Sequence, residues 1–445
     1  MEKRESSLER EIDFTYGKFI EKSENKEILI ISHFDTDGIS SAAIMIQALK
    51  GLDKRFSVKI VKSLEKEFID SLPKEKIIIF LDLGSGILNY LKEAGLKDVF
   101  IIDHHELVQK IPEGIYILNS ELCSNQKISA SCLTYLFCKR INPENKKFSK
   151  LAILGMIGDT LEKEIEKINN GILEEGEIKR KRGLLIYPST RPLNRVLEYS
   201  SYPYIPEVTG DPQGVLEILR EINFKPDNGR YKSLIELDEE EMERLITAIM
   251  LRNPKVKTKE IVGDIFLIKF FNKLEDAREL SAKINACSRY GESSTALLLC
   301  MEIARAKKRA DALHVRHRQK VLSALKFVSE TEKISGKGFV IINAKNHIQD
   351  TIIGTIASIL SKSAIYEEGT IITTLGQYEN KIKVSSRAVG KNGRNVREIL
   401  ARVIDTTGGE VGGHEFAAGC LISIEKEQEF IEALKKNLEI EVIKV

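Results

Sequence analysis

Three short apolar runs, each stopping at a carboxylate, constrain this chain more than any other feature. Residues 28–32 (ILIIS) run into His33-Phe34-Asp35-Thr36-Asp37-Gly38, residues 77–81 (IIIFL) end in Asp82, and residues 99–102 (VFII) end in Asp103-His104-His105. Short apolar runs rich in β-branched side chains read as strands buried on both faces, the habit of parallel sheets. In open α/β sheets, ligands bind beyond the carboxyl ends of the strands. The pattern therefore gathers Asp35, Asp37, Asp82 and Asp103, with His33, His104 and His105, at one sheet edge. So much buried negative charge calls for cations to offset it, and a metal cluster follows.

Composition narrows the class. At 445 residues the chain has room for two or three domains with cores of their own. Its net charge is only +2, so a nucleic-acid or anion site has to come from local patches. The N-terminus lacks the apolar stretch of a signal peptide, and no apolar run approaches the ~20 residues of a membrane span. Cys123, Cys132, Cys138, Cys287, Cys300 and Cys420 form no C-x-x-C pair. They read as reduced thiols of a cytoplasmic protein.

Residues 1–165 alternate short strands with helical patterns, the signature of βαβ units. Gly38 opens a helix over 39–50 whose apolar face is Ala42, Ala43, Ile46 and Leu49. Residues 151–158 form a buried, small-residue segment that ends in Asp159. Residues 166–255 read as a helical insertion or lid, carrying the basic run 179–182, the loop Tyr187-Pro188-Ser189-Thr190-Arg191-Pro192, three tyrosines (Tyr199, Tyr202, Tyr204) suited to stacking or packing, and an amphipathic helix over 239–252. Residues 256–330 complete the first core with a strand over 261–271 and then run as a long charged helix that bridges two domains. His314 and His317 on that helix read as solvated surface. A second α/β domain occupies 331–445. The fold class is thus α/β, with an N-terminal parallel sheet, a helical insertion and a C-terminal α/β domain.

His33, Asp35 and Asp37 alternate, so an extended segment would point all three to one side. Asp-x-Asp-Gly alone is also a common turn; what singles it out is its order with Asp82, Asp103-His104-His105 and Asp159. In that combination the chain resembles the DHH phosphoesterases, with Leu81-Asp82-Leu83-Gly84 and Gly158-Asp159-Thr160 as further motifs. Near the C-terminus, Gly412-Gly413-His414-Glu415-Phe416-Ala417-Ala418-Gly419 resembles the signature of the DHHA1 domain. Asn285-Ala286-Cys287-Ser288-Arg289 resembles a stretch of RecJ-type exonucleases, and the Tyr187–Pro192 insertion is similar to that of archaeal RecJ proteins. Bacterial RecJ usually carries Asp where this chain has His33, which moves the resemblance toward the archaeal and small-phosphodiesterase branches.

The resemblance implies two divalent metal ions, one held by His33, Asp35 and Asp82, the other by Asp37, Asp82, His104 and Asp159. It also implies that Asp103 orients a histidine ligand and that His105 faces the scissile phosphate. A mostly carboxylate set with some imidazole suits Mn²⁺ better than Mg²⁺. Two such ions activate a water for in-line attack on phosphorus. In a C-terminal strand, Lys381, Lys383, Ser385 and Arg387 would share one face and offer a phosphate track. Gly412 and Gly413 would bring backbone N–H groups to a phosphate, with His414, Asn285 and Arg289 as further substrate contacts. The implied activity is end-directed hydrolysis of single-stranded DNA or RNA, away from membranes, with a replication or repair protein as partner. A short-oligonucleotide or cyclic-dinucleotide phosphodiesterase is the alternative enzyme, and a non-catalytic scaffold the alternative class.

Overall fold

A computed structural model describes residues 2–439 apart from Val108, Ser124, Asn125, Ser201, Tyr202, Lys255, Val256, Ala364 and Lys391; the side chains of residues 2–6 and of Cys123 also lie outside the described set. The elements begin α1 (Glu2–Lys22), β1 (Ile28–His33), α2 (Thr36–Gly51), β2 (Phe56–Val61), α3 (Lys66–Asp70), β3 (Ile77–Leu81), α4 (Leu88–Glu93), β4 (Val99–Asp103) and β5 (Ile115–Asn119). They continue with α5 (Ser120–Cys123), α6 (Ala130–Ile141), α7 (Ser149–Gly158), α8 (Lys167–Glu175), β6 (Lys179–Leu184), α9 (Leu193–Glu198), α10 (Pro212–Glu221), α11 (Glu239–Arg252) and α12 (Thr258–Ile261). After these come β7 (Val262–Phe270), β8 (Lys273–Asp276), α13 (Ala277–Arg289), α14 (Ser293–Cys300) and α15 (Ala304–Glu330). The chain closes with β9 (Ile334–Gly336), β10 (Phe339–Asn343), α16 (Asp350–Lys362), β11 (Ile371–Tyr378), β12 (Lys381–Ala388), α17 (Val396–Thr407), β13 (Glu410–His414), β14 (Ala417–Ser423) and α18 (Glu427–Glu439). Two compact units result: Met1–Arg182 with Asp264–His314, and Gly183–Gly263 with Val315–Val445.

The first unit is built on a parallel sheet in the order β2-β1-β3-β4-β5. Its continuous apolar runs are explained by burial on both faces. Ile28, Ile30, Ile77, Ile79, Phe100 and Ile102 join one core with α2, α6, α7, α13 and α14. The alternating Leu29, Ile31, Ile78, Phe80, Val99 and Ile101 join another beneath α3 and α4. The strand order reverses direction between β1 and β3, which makes their carboxyl ends the topological switch point, where open α/β sheets leave a crevice.

Helix α2, after the first strand, starts at Thr36 rather than 39, because the Asp35 side chain caps it by accepting from the Gly38 N–H at 3.1 Å. Asp37 therefore sits in a helical turn, and the expected extended row of His33, Asp35 and Asp37 is not formed. The basic run Lys179-Arg180-Lys181-Arg182 lies in strand β6. His314 is 5% exposed, not solvated; it continues the helical stripe of Ala306, Ala310 and Leu313, which pack in the first core. Cys132, Cys138, Cys287, Cys300 and Cys420 are free, buried thiols, and Tyr202 lies outside the described residues.

In the second unit, residues 184–261 close a small core of their own, with Val196 and Leu197 of α9, Ile218 and Leu219 of α10, and Leu245 and Ile249 of α11. The C-terminal sheet has the order β13-β14-β12-β11-β10-β9, parallel only between β10 and β11. Val321, Ala324 and Val328 of α15 pack with α16 against it. Among the described residues, no helix is long and apolar enough to cross a membrane.

Candidate metal centre

The centre is assembled at the ends of β1, β3 and β4. A close turn carries the chain from β1 into α2: a side chain at Gly38 would lie 2.3 Å from the His33 carbonyl oxygen, so only glycine fits. Ser32 Oγ pins the turn by donating to the Gly38 carbonyl at 2.7 Å. Asp82 follows β3 in the left-handed region (φ 60°), an uncommon conformation for a residue other than glycine. Asp159 follows the last turn of α7.

These turns bring together three overlapping groups of ligating atoms: His33, Asp35 and Asp82; Asp37, His104 and Asp159; and Asp82, His104 and His105. Asp82 is 2% exposed and lies between two imidazoles, 3.3 Å from His33 Nδ1 and 3.3 Å from His104 Nε2. His33 Nδ1 is also 3.0 Å from Asp35, and His104 Nε2 is 3.4 Å from Asp159. Asp37 is fully buried and accepts from the N–H groups of Ala130 (2.7 Å) and Ser131 (3.0 Å), the positive N-terminus of α6. Asp103 lies one shell out. Its Oδ2 accepts from Ser85 N–H at 3.0 Å, and its Oδ1 is 2.7 Å from His105 Nδ1. The histidine that Asp103 orients is thus His105, not the inward-facing His104.

Charge crowding dominates the electrostatics. Burial, and then the neighbouring Asp37, push the carboxyls of Asp82 and Asp159 up, Asp82 to about 7. Burial opposes ionisation of His33 and His104, but their carboxylate partners outweigh it and lift both to about 10. Burial likewise pushes Asp35 up, and its pairing with His33 more than reverses the effect. The hydrogen bond that His105 donates to Asp103 raises the pKa of His105. His33 Nδ1, Asp82 Oδ2 and Asp159 Oδ2 are buried and make no well-directed hydrogen bond. Buried polar atoms are normally satisfied. Orphaned donor atoms converging from carboxylates and imidazoles fit divalent cations.

Several supporting groups were not among the site residues expected from the sequence. Asn119 ends β5 beside Asp103 and donates to the His105 carbonyl at 2.9 Å; its signal in the sequence was a fourth apolar run stopping at a polar residue. Gly155 and Gly158 let α7 approach α2. A side chain at Gly155 would lie 2.0 Å from Ser131 Oγ and 2.2 Å from Asp37 Oδ1. Thr36 Oγ1 donates to the Ser281 carbonyl of α13 at 3.1 Å, across 245 positions of sequence.

The substrate-binding candidates fall into separate places. In the second unit, Lys383, Ser385, Arg387, Gly412 and Gly413 line a cavity of about 510 Å³ over β12, β13 and β14. Their β12 neighbours Ile382 and Val384 are buried in the core on the other side of the strand. Arg387 is half-buried; its guanidinium donates to Ser358 Oγ (3.1 Å) and the Ser386 carbonyl (2.8 Å) and, among the described residues, meets no carboxylate. Burial pulls its pKa down. Lys383 is 3.8 Å from Asp350. Gly413 (φ 119°) could carry no side chain, which would lie 2.5 Å from the Ala417 carbonyl. His414 is exposed at the end of β13 and does not line the cavity. Asn285, half-buried, and Arg289, exposed, belong to α13 of the first unit.

Comparison with known proteins agrees with this architecture. Residues 27–158 match the DHH family N-terminal domain, 186–261 the DHH-CID domain and 336–439 the DHHA1 domain. An uncharacterized protein of Methanocaldococcus jannaschii is 28% identical over 419 residues, covering 91% of each chain. The fold is similar to that of exonuclease RecJ bound to manganese (TM-score 0.60, 16% identity, 98% of this chain and 95% of that one). It is also similar to CDC45 from Entamoeba histolytica (TM-score 0.68, 9% identity, 98% and 99%). With three matched domains spanning well over half of its length, the chain belongs to the DHH/DHHA1 phosphoesterase family.

Proposed function

We propose that this chain is a metal-dependent phosphodiesterase that hydrolyses single-stranded nucleic acid from an end. The observation that carries the reading is the buried carboxylate of Asp82, with Oδ1 toward His104 and an orphaned Oδ2 toward His33. In this reading His33, Asp35 and Asp82 hold one divalent ion and Asp37, Asp82, His104 and Asp159 a second, Asp82 being shared. The ligand mix favours manganese over magnesium. When bound, the ions supply Lewis acidity and lower the pKa of water. Asp103 fixes the ring of His105 through Nδ1 and leaves Nε2 to meet the phosphate. The raised pKa keeps His105 protonated to higher pH, so that Nε2 donates to a phosphate oxygen. The likeness to a RecJ exonuclease solved with manganese supports the reading. A replication or repair protein is the partner it expects.

Arg387 and Lys383 bind a strand phosphate in this reading, with Gly412 and Gly413 admitting the backbone; Asn285, Arg289 and His414 add contacts. Among the described residues no carboxylate meets the half-buried charge of Arg387, which an anion would complete. Arg387→Ala should lower kcat/KM on single strands about 10–100-fold, the worth of hydrogen bonds to a charged group. Metal content measured on the purified variant should stay at the wild-type level, and its loss would give Arg387 a different role.

The test of the whole reading is catalytic efficiency against chain length. An exonuclease gains from contacts beyond the scissile bond, each steepening the salt dependence by about 0.7 log units on a single strand. Efficiency should rise from dinucleotides to strands of about twenty nucleotides, beyond common single-strand site sizes, and most at low salt. A flat profile, or a preference for dinucleotides, would instead favour the short-oligonucleotide or cyclic-dinucleotide phosphodiesterase.

A further inference from the structure

The ring of His105 stands mostly in solvent. Its side chain is 60% exposed, against 23% for His104 and 25% for His33. A ring so exposed has little packing to hold it and depends on its tethers. Three of them reach one oxygen: Asp103 Oδ1 lies 2.7 Å from His105 Nδ1 and accepts from the backbone N–H groups of His104 (2.8 Å) and His105 (3.3 Å). The carbonyl of His105 is tethered separately, by Asn119 Nδ2 at 2.9 Å. The same amide nitrogen donates to Ser85 Oγ at 3.0 Å, in the loop between β3 and α4, and the Ser85 N–H donates to Asp103 Oδ2 at 3.0 Å. Asn119 Oδ1 accepts from the Glu121 N–H at 2.8 Å, in the turn that leaves β5. Asn119 is 1% exposed and Ser85 is fully buried. One amide thus ties the residue that carries the ring to the loop that holds the far oxygen of the ring's carboxylate partner.

We propose that Asn119 is a positioning residue for phosphodiester hydrolysis, acting through His105. The inference rests on the phosphodiesterase reading, in which His105 Nε2 donates to the phosphate. The bond to Asp103 fixes Nδ1, yet a ring on an untethered backbone could keep that bond and swing Nε2 about it. Holding the carbonyl as well fixes a second point, and the two together set where Nε2 lies. A misplacement of ~1 Å in such a donor costs about 100-fold in rate. A buried amide can also serve the sheet alone, by closing the turn after its strand. For that purpose the Oδ1 bond to Glu121 suffices. The amide nitrogen has two hydrogens to donate, and Asn119 directs them at Ser85 and His105, the residues on either side of Asp103.

The test is a double-mutant cycle on the full-length, manganese-loaded protein, with a labelled single strand of about twenty nucleotides. Asn119→Ala should lower kcat about 10–100-fold. Strand Kd, measured in chelator, and metal content should both stay within about twofold of the wild type, since the lost interaction acts in the transition state. In a His105→Ala background the same substitution should cost less than about twofold, because the ring it positions is gone. An amide that serves only the fold would lower kcat by the same factor in both backgrounds, and that result would overturn the role. Asn119→Ser is the second variant, for the case that the alanine protein does not fold. Its hydroxyl keeps the turn toward Glu121 but is too short to reach the His105 carbonyl, so the same loss and the same dependence on His105 are expected. Wild-type kcat in Asn119→Ser, or loss of metal from either variant, would also overturn the role. If the wild type cleaves strands and His105→Ala cleaves them as fast, no ring is being positioned and this inference alone falls. If the manganese-loaded wild type cleaves no strand, the phosphodiesterase reading falls and takes this one with it.

Discussion

Asp82→Asn is expected to abolish phosphodiester hydrolysis and, in chelator, to make the protein more stable than the wild type. The two effects share one cause. Asp82 offers oxygens toward both His33 and His104, so its loss withdraws a ligand from two of the three groups of ligating atoms. The activity loss should exceed the ~10–100-fold typical of an outer-shell partner, and metal content should fall with it. Without metal, the same carboxylate is a burden. Burial and Asp37 raise its pKa to about 7 in the folded chain, while the unfolded chain ionises in the ordinary aspartate range near pH ~4. Over that interval the folded state binds more protons than the unfolded one, so this group's contribution to stability falls as pH rises from about 4 to about 7. The Tm advantage of Asp82→Asn in chelator should therefore be small at the acid end and larger at neutral pH. A variant with near-normal activity and full metal content would refute the shared-ligand assignment; a Tm difference independent of pH would refute the electrostatic account.

The second large effect concerns packing. In Gly155→Ala the new methyl would meet Ser131 Oγ at 2.0 Å and Asp37 Oδ1 at 2.2 Å. Neither neighbour has room to yield: Ser131 Oγ donates to the Ala152 carbonyl at 3.0 Å, and Asp37 is held by two N–H groups of α6. Overpacking of this kind costs about 1–3 kcal/mol, and losing a hydrogen bond to a charged group adds about as much. A loss near 3 kcal/mol should lower Tm by roughly 6–12 °C in a domain of this size. Metal affinity should fall as well, because the displaced carboxylate belongs to the group with His104 and Asp159. Gly171→Ala is the control. Nothing lies within 4 Å of a side chain there, in the body of α8, so alanine should raise Tm slightly. Equal Tm values for the two variants would show that α7 does not need its close approach.

The sheet was legible because its strands are buried on both faces, and continuous β-branched runs such as residues 77–81 have few other readings. The helix over 239–252 was legible for a related reason: its acidic first turn and apolar stripe are local. Asp37 was harder. Asp-x-Asp-Gly suits an extended segment as well as a helix start, and the capping bond from Gly38 to Asp35 decides between them. The groups that hold Asp37 are backbone N–H groups of Ala130 and Ser131, which have no side-chain signature in any sequence. His314 was obscured by the charges around it, although its register with Ala306 and Ala310 placed it on the inward stripe.

The bond from Thr36 to Ser281 has a consequence for how the protein is made. The candidate metal ligands have all left the ribosome once Asp159 has emerged, yet α13 packs against α2 and α7 and closes their core. Between them the whole of Gly183–Gly263 must be synthesised. At ~5–20 residues per second, α13 arrives some ten seconds or so after Asp159. During that interval the nascent first unit shows apolar surfaces of α2 and α7 that α13 later covers. The insertion, which closes a core from its own residues 184–261, can fold before the unit it interrupts. The order of maturation is thus inverted relative to the order of translation: the half that holds the candidate metal centre begins first and finishes after its own insert.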